Sequence, residues 1–427
     1  MLIRLCPCNI DLRSYVWLWP ATRGANSTSN QYRSRGQISH HESEPKRSID
    51  TNMSFAKSST GCLTLLSQLL WPSDGHEGSY RGDDSVPRPD GAQPLKHALA
   101  TFGRSTDFSQ LWTLATSHHV IMRAFPSLHR LLATENANGA DWVHRAIVKE
   151  QERIDHALSF LHPICGALED AGDVIVIKSL DHWPDLGSDL DLYTNADAGD
   201  VVAIMRKRFK AQVAERSWGD RLAGKWNFVV PGLPELVEVH VARLGQTGEQ
   251  IAITESLIAQ SQIAPFGLYR FRVPAPENRM IISTLQRMYR HFYVRLCDIV
   301  DNAKLADAGL VNYESLKSLA RPAGLWDGLA TYLVILSGYV KSYRGEGLPL
   351  PLLVTDAARF DSEPVRFRRN FLRIPIFPHS VRLYLSEWKR LLLNGELRNT
   401  LRLSLLPGLA TAAAVELKLT GSDKGIW

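Results

Sequence analysis

Hydrophobic and polar positions divide the chain into unlike stretches. Residues 23–60 are rich in Ser, Asn, Arg and Gln and nearly lack aliphatic side chains. Such a segment buries too little apolar surface to offset the entropy of ordering, so disorder is predicted there. Met53, near its end, offers an alternative start to Met1 on composition. Trp71–Pro94 collects Pro, Gly, Asp and Ser and reads as a linker. From His97 to about Asp170 the spacing is helical, with Leu111, Leu114 and Ala115 in one run and Ile147, Ile154, Leu158 and Leu161 in another.

Past Gly172-Asp173 the period changes. Val174–Ile177 is a β-branched run bounded by turn residues, which predicts a buried strand. Leu190 and Leu192 alternate with Asp189 and Asp191, so Asp189–Thr194 reads as a second strand. Asp197–Phe209 carries Val201, Ile204, Met205 and Phe209 on one helical side. Trp226–Val230 and Leu236–Val241, joined by Pro231-Gly232-Leu233-Pro234, make a strand hairpin. From about Thr254 the pattern is mostly helical. One long amphipathic helix is expected through Ile281, Leu285, Met288, Phe292, Leu296 and Ile299, and others near Trp326–Tyr343 and His379–Asn394.

A length of 427 residues exceeds one compact core. The expected division is 1–94 leader and linker, 95–172 helical region, 173–253 a small mixed-sheet core, and 254–427 helical domain. The fold class is α+β. With 44% hydrophobic and 22% charged residues, the chain has the make-up of a soluble globular protein. A net charge of +5 is too small at this length to argue for a polyanion partner. Five scattered cysteines do not form a disulfide framework, and Cys6-Pro7-Cys8 lacks a second pair for a metal. No stretch reaches the roughly 18 apolar residues of a membrane span, and no signal peptide is visible. A cytoplasmic protein with reduced thiols is the expectation.

The chemistry concentrates in Gly187-Ser188-Asp189-Leu190-Asp191-Leu192. Residues two apart on a strand share a face, so both carboxylates converge while both leucines enter the core. Carboxylates that close repel unless a cation lies between them, and hard oxygen donors suit Mg²⁺ or Mn²⁺. The same parity sets Glu238 and His240 on one face of Val237–Val241. Asp189, Asp191 and Glu238 would then form a two-metal site, the arrangement that nucleotidyl transfer needs. His240 reads as an orienting partner of Glu238 rather than a ligand.

Ile175–Thr194, with Val-Ile-Lys-Ser-Leu followed by Gly-Ser-Asp-Leu-Asp-Leu, resembles the opening of the polymerase-beta nucleotidyltransferase superfamily. More closely it is similar to a bacterial family of uncharacterised nucleotidyltransferases. That family's acidic-Leu-His-Trp-Arg strand stands here as Glu238-Val239-His240-Val241-Ala242-Arg243, and its Asp-containing helix as Arg295–Asp301. The resemblance covers about residues 174–310. It implies a nucleotidyltransferase fold, a divalent metal and a nucleoside triphosphate such as ATP. The acceptor (small molecule, peptide or RNA) is left open. Two departures stand out: the superfamily's glycine turn reads Lys178-Ser179, and the third carboxylate is Glu. Lys178, Ser179 and Ser188 are the expected phosphate contacts.

Blander readings run alongside. Lys178 could cap a strand end, and Arg287, Arg290, His291 and Arg295 could be a solvated helix face or could face the triphosphate or an anionic acceptor. Arg366, Arg368, Arg369 and Arg373, interleaved with Phe367 and Phe371, read as a surface segment that could also meet RNA or an acidic partner. The rival functions are a metal-dependent glycosyltransferase using Asp-x-Asp and a non-catalytic nucleotide-binding module of the same fold.

Overall fold

A computed structural model describes residues 50–71, 108–134, 139–359, 365–374 and 379–420. Four helices precede the sheet: α1 (Asp50–Leu70), α2 (Phe108–Ser117), α3 (Ile121–Thr134) and α4 (Ala140–Glu169). α1 overlaps the end of the stretch expected to be disordered. Its Cys62, Leu65, Leu66 and Leu69 recur at helical spacing and are buried with the first turns of α3. That stripe follows residue 60, in the part of the 1–94 leader to which no helix was assigned. Residues 23–49, most of the expected linker and Cys6-Pro7-Cys8 lie outside the described residues. α4, about 45 Å long at 1.5 Å per residue, bridges two cores. Val143 and Ala146 belong to one, and Ile154, Leu158, Leu161 and Leu168 to the other.

The second core backs a five-stranded sheet. It contains β1 (Val174–Val176), β2 (Asp189–Thr194), β3 (Gln212–Val213), β4 (Lys225–Val229) and β5 (Leu236–Val241), in the order β1-β2-β5-β4-β3. β2 and β5 are parallel, and the other pairings are antiparallel. A parallel pair requires a crossover. Here α5 (Ala198–Phe209) makes its first leg, capped by Asp197 and buried through Val201 and Met205. The fold is thus α+β, with a mixed sheet flanked by helices.

Alternation along the strands assigns the two faces. Val174, Val176, Leu190, Leu192, Val237 and Val239 enter the core shared with α4 and α5. Ile175, Ile177 and Tyr193 point the other way and join the core of the C-terminal helices. Asp189 and Asp191 have the parity of Tyr193, so the carboxylates lie on the sheet face turned toward the C-terminal half.

That half is less uniformly helical than expected. After α6 (Trp218–Ala223) and α7 (Ile251–Ala259) comes a hairpin, β6 (Gln262–Phe266) with β7 (Tyr269–Val273). The long amphipathic helix is interrupted. α8 (Pro276–Thr284) passes into a π-helical segment, Leu285–His291. Phe292 then turns left-handed, β8 (Tyr293–Val294) follows, and α9 (Leu296–Asp307) begins. The apolar period runs through the break, but β8 pairs with a segment nearly 80 residues later, and no local pattern reports that pairing. The later helices are α10 (Tyr313–Ala320), α11 (Trp326–Arg344) and α12 (Leu352–Thr355). The partner strand of β8 belongs to a hairpin of β9 (Arg366–Arg368) and β10 (Phe371–Arg373). α13 (His379–Leu393), α14 (Leu397–Ser404) and α15 (Leu406–Thr420) close the chain. Among the described residues, no helix is long and apolar enough to cross a membrane.

Candidate metal and nucleotide site

Parallel pairing of β2 and β5 sets Asp191 directly opposite Glu238, and Asp189 opposite Leu236. Across the hairpin, Asn227 faces Glu238 and Lys225 faces His240. Strand parity therefore gathers Asp189, Asp191, Glu238, His240, Asn227 and Lys225 on one face. One ligand atom from each of Asp191, Glu238 and His240 lies within 4.8 Å of the other two. Asp189, two residues back along β2, feels both Glu238 and the lysines electrostatically.

Two ammonium groups already compensate the acids. Lys178 Nζ is ion-paired with Asp191 and lies 3.3 Å from Glu238 Oε1. Lys225 Nζ lies 2.5 Å from Glu238 Oε2. His240, whose Nε2 is 2.8 Å from Glu238 Oε1, is a hydrogen-bonded neighbour of that carboxylate and also belongs to the group able to hold a metal. Sequence reasoning missed Lys225. The signal was alternation: Lys225 and Asn227 share a face opposite Phe228, but the strand was expected to begin one residue later.

Charge states follow from these contacts. Burial raises Asp191 to about 7, and the neighbouring Glu238 and Asp189 add to it against the pull of Lys178. Burial opposes ionisation of Glu238 too, but Lys225, Lys178 and His240 outweigh it and hold that carboxyl well below its ordinary range. Burial, helped by Lys178, lowers His240 to about 4, so at neutral pH it is a neutral imidazole with a lone pair available. The Lys178 ammonium resists burial because Asp191 and Glu238 stabilise its charge.

Lys178 stands in a turn with positive φ, a backbone conformation that glycine adopts more readily than a residue with a side chain. With φ 59° and ψ −59°, and Ser179 N–H donating to Ile177 O at 2.6 Å, it forms a γ-turn of the rare, strained kind. Ser179 is buried. Its hydroxyl accepts from Asp191 N–H at 2.8 Å and donates to Asp189 O at 2.9 Å. The residue is thus a latch on β2, its hydroxyl both donating to and accepting from that strand. Ser188 is exposed at the mouth of the strand. Arg153 steadies that loop, donating to Leu186 O at 3.1 Å while pairing with Glu150 and Glu235 at 2.7 Å each.

The basic residues after α8 do not form a solvated face. Arg287 is buried and ion-paired with Asp298 at 2.7 Å. Arg290 acts on the charge of Lys178, Arg295 on that of Asp189, and Lys225 on that of His291. The β9–β10 hairpin docks against this group: Phe371 packs on Tyr293 with ring centroids 4.4 Å apart, and the Arg373 guanidinium lies 5.2 Å from the Tyr293 ring.

The donor set fits a hard divalent cation. Three carboxylates share the face, a neutral imidazole adjoins them, and Asn227 Oδ1 and His240 Nδ1 are buried polar atoms without a protein partner. An ion between Asp191 and Glu238 would have to take over contacts that Lys178 makes here. No family model matches the chain, and no curated protein or solved structure matches it.

Proposed function

We propose that this protein is a metal-dependent nucleotidyltransferase, moving a nucleotidyl group from a nucleoside triphosphate to an acceptor hydroxyl. The observation that carries the reading is the in-register placement of Asp191 against Glu238 on adjacent parallel strands, with Asp189 on the same face. An acidic floor and a basic rim of Lys178, Lys225, Arg290 and Arg295 suit a polyphosphate held through a cation.

Asp189, Asp191 and Glu238 would hold Mg²⁺ or Mn²⁺, which supplies charge neutralisation on the triphosphate and acidifies the attacking hydroxyl. The chain's own residues set up the rest. His240 and Lys225 keep Glu238 ionised and fixed in orientation, so it serves as an anion rather than a proton store. Released from the carboxylates, Lys178 supplies a point charge for phosphate. The acceptor hydroxyl gives its proton to solvent, its oxygen bonds to the α-phosphorus, the bond from that phosphorus to the bridging oxygen breaks, and pyrophosphate leaves. Cys62, Cys165 and Cys297, buried and outside any disulfide, suit a reducing, cytoplasmic setting.

One observation favours a second reading. The Lys178 ammonium lies between the two carboxylates as an internal counter-ion, as a non-catalytic nucleotide-binding module of the same fold would permit. A glycosyltransferase is less well supported, because one strand alone precedes the Asp-x-Asp strand among the described residues. Incubation with α-labelled triphosphates and Mg²⁺ or Mn²⁺ against RNA, protein and metabolite pools separates these readings. Label transferred by the wild type and lost in Asp189→Ala supports the enzyme. Triphosphate binding without transfer supports the module, and preference for a sugar nucleotide supports the glycosyltransferase.

A further inference from the structure

A second set of donors lies away from the carboxylate face. His182 ends the short 3-10 turn, Ser179–His182, that follows Lys178, and Cys297 and Asp298 open α9. All three are buried, and Cys297 has no exposed surface. His182 Nδ1 lies 2.5 Å from Asp301 Oδ2. A carboxylate only accepts, so Nδ1 carries the hydrogen and Nε2 faces Cys297 Sγ at 3.8 Å. Arg123 fixes Asp301 in turn, at 2.6 Å from its other oxygen. Asp298 uses Oδ2 for the Arg295 N–H and for Arg287, leaving Oδ1 as a further donor. One ligand atom from each of His182, Cys297 and Asp298 lies within 4.8 Å of the others.

We infer that His182 Nε2, Cys297 Sγ and Asp298 form a binding site for a thiophilic divalent cation of the zinc type, separate from the hard-ion face of the sheet. Three lines of chemistry support it. Nitrogen, sulfur and oxygen donors together suit Zn²⁺ rather than Mg²⁺. A carboxylate on the far nitrogen of the imidazole is the usual orienting partner of a zinc-bound histidine, and Asp301 occupies that position. Tetrahedral bonds of about 2.3 Å to sulfur and about 2.0 Å to nitrogen would separate those atoms by about 3.5 Å, against the 3.8 Å found. A cavity of about 20 Å³ beside two of the donors is lined by His182, Asp298, Asp301 and Asn302, and also by Lys178 and Arg279 but not by Cys297; it has room for one water. The obvious competitor, a cysteine nucleophile activated by histidine, fails on access: no substrate atom can reach a thiol with no exposed surface. Binding displaces the protons of Sγ and Nε2, and both pass to solvent. The bound ion would tie the turn that carries Lys178 to α9, joining the sheet to the C-terminal helices.

The test does not depend on any nucleotide chemistry. The full chain is stripped with a chelator, titrated with Co²⁺, and followed by its thiolate-to-metal absorption, with Zn²⁺ added last. One equivalent of cobalt with a thiolate band, displaced by zinc, is expected for the wild type and for Asp191→Ala. Cys297→Ser should lose the band, and His182→Asn should bind at least tenfold more weakly. If Cys297→Ser does not fold, the wild type and His182→Asn still decide. No thiolate band in the wild type, a band that persists in Cys297→Ser, or a band lost in Asp191→Ala would overturn the assignment.

Discussion

Replacing Lys178 by Met removes the positive charge between Asp191 and Glu238 while keeping a side chain of similar length. At an effective dielectric of about 20, unit charges 3.3 Å apart attract by about 5 kcal/mol. Desolvation of the ammonium offsets part of this. Breaking one side of a buried pair costs about 3–5 kcal/mol, and 15% exposure of the Lys178 side chain argues for the lower end. A loss of about 3 kcal/mol is therefore expected in metal-free buffer. Mn²⁺ at about 100 times its dissociation constant returns about 2.7 kcal/mol, because the ion meets carboxylates with no lysine between them. The wild type should gain less from the same Mn²⁺, since there the ion must displace the ammonium. Urea denaturation of both proteins, with and without Mn²⁺ at unchanged slope, measures all four stabilities. Equal stabilisation of the two by Mn²⁺, or none in Lys178→Met, would refute the reasoning.

Three further outcomes are expected. Lys178→Gly should be less destabilising than Lys178→Met by about 1 kcal/mol, because φ of 59° strains a side chain but not glycine; the same urea curves show it. Arg287→Met leaves Asp298 buried without its guanidinium and should cost about 3–5 kcal/mol, seen as a lower thermal midpoint. His118 accepts from Leu296 N–H through Nδ1 and is held down to about 3, mainly by burial. The unfolded imidazole titrates near 6.5, so this stability is complete above that pH and declines on acidification toward 3, by about 1.4 kcal/mol per unit. His118→Gln should flatten the pH dependence of stability by that amount, and an unchanged slope would count against it.

β2 and β5 were legible because they alternate, and β1 because it is a β-branched run between turns, whereas the two-residue β3 gave no signal; parity set Asp189 with Asp191 and Glu238 with His240. Local pattern could not show that β5 lies parallel beside β2, which brings Asp191 against Glu238, because sequence carries no direct mark of strand order. Lys225 was missed for a one-residue boundary. The break after α8 was missed because β8 is held by β10, a distant partner that overrides an intact helical period. Lys178 was read as a departure from a glycine turn. Its geometry supplies the rest: the chain keeps the glycine-like φ and puts an ammonium among the acids. Arg287 looked like surface charge because its partner Asp298 lies beyond the break, where helical spacing no longer relates the two.

Diffraction from crystals grown with Mn²⁺ and a non-hydrolysable triphosphate, recorded for manganese anomalous signal, tests the central claim most directly. A peak bonded to Asp191 and Glu238, with Lys178 withdrawn and the triphosphate between the carboxylates and Arg290, is the expected result. Manganese bound elsewhere, with the Lys178 ion pairs intact beneath the nucleotide, would contradict it.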